Sequence, residues 1–113
     1  MAHRTIHVDA GTIGPAKCDA ALADLLTKHP EYVRRATNLL HEFRTGLNTL
    51  TRISESQTGG RKSFMWQLTL LWFDDHKRRV NEMNLLDPIR NYLHTCLKAS
   101  WRNWLKQRRE RAA

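Results

Sequence analysis

Glycine and proline are scarce in this chain, five and three residues among 113. That composition excludes collagen-like, low-complexity and linker-dominated architectures. Cysteine is scarcer still. Cys18 and Cys96 are the only two, far apart and at no metal-ligand spacing. Neither Cys-x-x-Cys nor His-Glu-x-x-His occurs, and the six histidines do not group into a ligand set. Two isolated thiols point to a reduced, cytoplasmic setting. Long apolar runs are missing as well. The longest stretch, Phe64 to Phe73, contains Gln67 and Thr69 and is too short to span a bilayer. The first residues lack the apolar core of a secretory signal. No nucleophile is spaced with a general base, and Asp74 and Asp75 are adjacent, so on a helix they diverge. Gly59-Gly60-Arg61-Lys62-Ser63 lacks the leading glycine and preceding strand of a phosphate loop. The expectation is a non-enzymatic protein without a metal or cofactor.

Acidic residues are also unevenly missing. Residues 1–60 carry seven Lys/Arg against six Asp/Glu, whereas residues 61–113 carry twelve against five. The net charge of +8 is therefore almost all in the second half. Arginine outnumbers lysine thirteen to six. A planar guanidinium binds phosphate in a bidentate way and stacks on bases, so the bias leans toward nucleic acid.

What is present is helical periodicity. The length fits one domain. Residues 1–14 show no helical period and are expected to form a flexible arm, leaving 15–113 as a single helical domain. Pro15 to His29 reads as a short helix whose apolar side is Cys18, Ala21, Leu22 and Leu25, closed by Pro30. Pro30 to Ser56 reads as a long helix. Val33, Ala36, Leu40, Phe43, Leu47 and Leu50 recur in it at alternating spacings of three and four, a heptad seam for a neighbour at a shallow angle. Gly46 weakens its middle by about 1 kcal/mol relative to alanine and leaves room for a close neighbour. Ser56 to Lys62, with two glycines, reads as a hinge-like loop. Ser63 to Leu86 reads as a third helix with Ser63 as N-cap. Its first ten residues are apolar on nearly every side, so Trp66, Leu68, Leu70 and Trp72 also suit a strand.

The segment from Asp87 to Arg111 is the most informative. Asp87 is a suitable N-cap, with Pro88 at the first helical position. Ile89, Leu93, Leu97, Trp101 and Leu105 form one apolar row, and Tyr92, Cys96, Ser100 and Trp104 a second. Arg90, His94, Lys98, Arg102 and Lys106 form a cationic row, joined by Arg109. Rows at intervals of four drift around an α-helix by about 40° per step. From Arg90 to Arg109 the helix covers roughly 28 Å, long enough to follow several phosphates of a duplex. No Asp or Glu falls between Pro88 and Gln107.

The fold expected is all-α: a three- to four-helix bundle, with a homodimer covering the heptad seam and the two-tryptophan ridge. The function expected is nucleic-acid binding through Arg90, His94, Lys98, Arg102, Lys106 and Arg109. Arg34 and Arg35 on the long helix and Arg78 and Arg79 on the third would contribute. RNA is favoured over DNA, because no short-turn recognition helix is evident and duplex RNA is read by shape, phosphates and 2′-hydroxyls. Sequestration of duplex RNA, by analogy of architecture with small viral and phage proteins that coat duplex RNA, follows from that reading. The alternative is a small interaction module or inhibitor docking on an acidic surface of a larger protein, with Trp101 and Trp104 as its contact. A membrane-surface role for 88–111 is the weakest of the three, since the rest of the chain makes sense without a membrane.

Overall fold

A computed structural model describes residues 19–55 and 61–112, and every regular element among them is an α-helix. They are α1 (Ala20–Thr27), α2 (Pro30–Glu55), α3 (Arg61–Glu82) and α4 (Asp87–Ala112). The apolar run 64–73 is thus helical. The expected arm (1–14), Cys18 and loop residues 56–60 lie outside the described residues.

Helix α3 lies between α2 and α4 in sequence and antiparallel to both. Gly46 of α2 meets Trp72, and Glu42 meets His76 and Arg79. On the other side Asn81 meets His94, Phe73 meets Trp101 and Trp66 meets Trp104. Helices α2 and α4 run in the same sense, tied where Arg44 Nε donates to Ser100 Oγ (3.3 Å) and Trp104 Nε1 to Thr51 Oγ1 (2.7 Å). The short α1 packs on both α2 and α4. The core of this up-down-up bundle is Leu40, Phe43 and Leu47 of α2, Val80 of α3, and Ile89, Leu93, Cys96 and Leu97 of α4, all almost wholly shielded from solvent.

Local chemistry sets the element ends. Asp19 caps α1 by accepting from the Leu22 amide (2.8 Å). Met83 N–H donates to Val80 O, and Asn84 then takes φ 58°, the left-handed value that lets the chain turn into α4. The first α4 bond runs from Arg90 N to Leu86 O. Asp87 is thus already inside the helix, where its carboxylate accepts from the Arg90 guanidinium (2.7 Å).

Besides Asp87, which lies inside α4 and not at its cap, two expectations need correction. The buried side of α1 is centred on Ala23 and Leu26, flanked by the expected Leu22 and Leu25, which are partly buried against the core, while Ala21 is exposed; Ala20 to Leu26 is apolar save for Asp24, so periodicity could not choose a face. Helix α3 begins at Arg61, two residues before the Ser63 expected as its cap. The seam that suggested a homodimer is covered in large part within the chain itself. Ala36, Leu40, Phe43 and Leu47 of the heptad seam are buried by the chain's own helices, and so is Trp104. The large apolar side chains that stay outside include Phe64 (60% exposed) and Leu71 (62%), both on the outward face of α3.

Candidate nucleic-acid interface

The cationic row of α4 drifts as its spacing requires. Arg90 and His94 are partly buried along the groove with α3, while Lys98, Arg102, Lys106 and Arg109 are exposed. The aromatic contacts below them hold the face in place. Trp101 stacks on Phe73 (4.7 Å, 9°) and on Trp104 (5.1 Å), and Trp104 stacks on Trp66 (6.1 Å, 12°). Both tryptophans of α4 therefore belong to the intramolecular core. The Arg108 guanidinium covers the Trp66 ring at 4.5 Å, closing that end of the stack.

The antiparallel register of α3 and α4 brings one member of the basic cluster Lys77-Arg78-Arg79 to this face. With Asn81 opposite His94 and Phe73 opposite Trp101, Lys77 falls level with Lys98. Lys77 lies over the Phe73 ring at 4.5 Å and pairs with Asp74 (3.0 Å). His94 reports the resulting field. Its ring is held neutral to lower pH than an ordinary histidine, first because burial disfavours the charged imidazolium, then through the positive charges of Lys98, Arg90 and Lys77. The Nε2–H donates to Asn81 Oδ1 at 2.7 Å, so Nδ1 is the atom left to gain or lose the proton.

The other expected residues lie elsewhere. Arg78 is on the outward face of α3, held by Asp75 and Glu82. Arg79 bridges to Glu42 of α2 (2.6 Å), beside the fully buried His76. Its guanidinium, by hydrogen bonding and charge, holds the Glu42 carboxyl below the usual range against the opposing effect of burial. The His76 Nδ1–H donates to Trp72 O (2.9 Å). Arg34 and Arg35 are exposed near the start of α2, with Arg35 beside Glu82 and Met83 in the α2–α3 groove. The structure therefore brings together Arg90, His94, Lys98, Arg102, Lys106 and Arg109 with Lys77. It sets Arg34, Arg35, Arg78 and Arg79 apart from them. Lys77 was legible as a basic residue, but only the register of α3 against α4 shows which face it joins.

Among the described residues, Lys98, Arg102, Lys106 and Arg109 form no ion pair with a carboxylate, in contrast to Lys28, Lys77, Arg78, Arg79 and Arg90. Four exposed cations on one helical face, with their charge uncompensated, suit a repeating anion. No helix among the described residues is long and apolar enough to cross a membrane. No protein-family model, curated protein or solved structure matches this chain.

Proposed function

We propose that the protein binds nucleic acid through the outer face of α4, with duplex RNA as the preferred form, and thereby shields it from other proteins. The observation that carries the reading is the exposed run Lys98, Arg102, Lys106 and Arg109, which forms no ion pair among the described residues even though Glu110 lies at its end. It is continuous with Lys77, Arg90 and His94 in the α3–α4 groove. Cations along one rigid rod contact phosphates and read backbone shape, which is how duplex RNA is commonly recognised. Arg34, Arg35, Arg78 and Arg79 would act, if at all, from other faces.

Binding to a labelled duplex RNA of about twenty base pairs, measured over a salt series beside duplex DNA and single strands, tests the proposal. Affinity should fall steeply with salt, since each phosphate neutralised adds about 0.9 to the logarithmic slope on B-DNA. Absence of binding at low salt would overturn it.

The homodimer forms part of the proposal, now closed through the outward face of α3, where Phe64 and Leu71 are exposed with Leu68 half-buried between them. The same exposed side chains favour the second reading, docking on another protein. In that case the contact is α3, because Trp101 and Trp104 are occupied inside the bundle.

A further inference from the structure

We propose that Lys77, Arg90, His94 and Lys98 form a phosphate-binding notch in the α3–α4 groove, and that His94 takes up a proton when a phosphate group enters it. The proposal rests on the reading of α4 as a phosphate-contacting face and names one site within it.

The geometry is that of a built cluster rather than a charge run. Arg90, His94 and Lys98 follow one another at single-turn spacing on α4, and Lys77 faces Lys98 from the antiparallel α3. Asn81 fixes the imidazole through its hydrogen bond to Nε2. The charges acting on His94 from its own helix are Lys98 and Arg90, and from α3 Lys77. The carboxylates nearest these groups are committed to them: Asp74 pairs with Lys77 and Asp87 with Arg90. Both are exposed i,i+3 pairs of the kind that contribute little, so an incoming phosphate can displace them at small cost.

In the free protein partial burial, and after it the charges of Lys98, Arg90 and Lys77, hold His94 neutral to lower pH than an ordinary histidine. A phosphate seated among Lys77, Arg90 and Lys98 reverses the local field and stabilises the imidazolium. The proton comes from solvent and goes to Nδ1. Linkage then requires tighter anion binding at lower pH, with one additional cationic contact in the bound state. The same residue has the opposite effect on stability. Its proton affinity is lower folded than unfolded, so the anion-free fold gains stability as pH rises through the interval below 6.5 and is penalised beneath it.

The test follows the His94 imidazole by NMR in the full chain, its signal assigned by its loss in His94→Gln. It is titrated with and without inorganic tripolyphosphate, alongside duplex RNA binding at pH 5.5 and pH 8. The expected results are a titration below the ordinary histidine value in the free protein and an upward shift with tripolyphosphate. Lys77→Ala should reduce that shift while helicity by circular dichroism is retained. The salt slope for RNA should be steeper at pH 5.5 by about 0.9, one contact's worth, and His94→Gln should remove that difference. If RNA binds with a steep salt slope but His94 does not respond to tripolyphosphate or RNA, the notch is overturned and the α4 reading stands. If tripolyphosphate moves His94 while no nucleic acid binds, the notch stands and nucleic acid is not its ligand. If neither occurs, both fall.

Discussion

Gly46 shows how one residue can have opposite meanings in sequence and in structure. As a helix-interior glycine it weakens α2, and alanine should add about 1 kcal/mol. In the fold a Cβ at this position would lie 2.3 Å from the Trp72 ring, whose Nε1 donates to Phe43 O (3.0 Å) across the gap the glycine leaves. The room expected there for a close neighbour is filled by an indole. Gly46→Ala is therefore predicted to destabilise by about 1–3 kcal/mol, the usual cost of overpacking, measurable as a lower urea midpoint. Glu42 is a second residue with a measurable signature. Because Arg79 holds its carboxyl below 4.5, its contribution is present above that value and lost as pH falls through the depressed one. Glu42 and Arg79 are both partly exposed, so that contribution is about 1 kcal/mol or less. Wild type should exceed Glu42→Gln in unfolding free energy at pH 7, and the difference should shrink progressively as pH falls below 4.5. A difference that does not change with pH would contradict the clamp. Neither effect was legible in the sequence, because each depends on which α3 side chain reaches α2.

At the scale of elements, the long helices were legible because their patterns are strong. The α2 seam and the α4 rows each repeat over about three to five turns, and Pro30 and Asp87-Pro88 mark their starts. Where the pattern is weak the helices were still legible, but their faces and exact starts were not. The apolar residues of α1 leave its face undetermined, and α3 is apolar nearly all round at its start because Trp66, Trp72 and Phe73 serve two neighbours while Phe64 and Leu71 serve none. The α3–α4 connection turns on Asn84 at φ 58°. Asparagine tolerates that conformation and glycine adopts it freely, whereas alanine is strained there. Asn84→Gly is expected to leave thermal stability unchanged or raise it. Asn84→Ala should lower it by about 1 kcal/mol. The reverse order would show that the turn is built differently.

At the scale of the whole molecule, the bundle separates two surfaces that the sequence presents as one basic half. The α4 face carries uncompensated charge, while the charges on the outward face of α3 include Arg78, which is held by two carboxylates, Asp75 and Glu82, beyond the apolar Phe64–Leu71 stripe. The sequence alone could count this charge but not divide it, since Lys77 and Arg78 are neighbours in the chain and belong to different faces. If α3 closes the proposed homodimer, sedimentation equilibrium will return the mass of two chains for the wild type and one for Leu71→Glu, with little loss of fold because Leu71 is exposed. A one-chain mass for the wild type would remove the dimer.

The central claim is that the α4 face binds duplex RNA, and the salt dependence of that binding in wild type and in Lys98→Glu/Arg102→Glu tests it most directly. Both residues are exposed, so helicity should survive the exchange. The account predicts steep salt-dependent binding by the wild type, ranking duplex RNA above DNA and single strands, and its loss in the variant. Equal affinity of the two proteins, with a common salt slope, would contradict it.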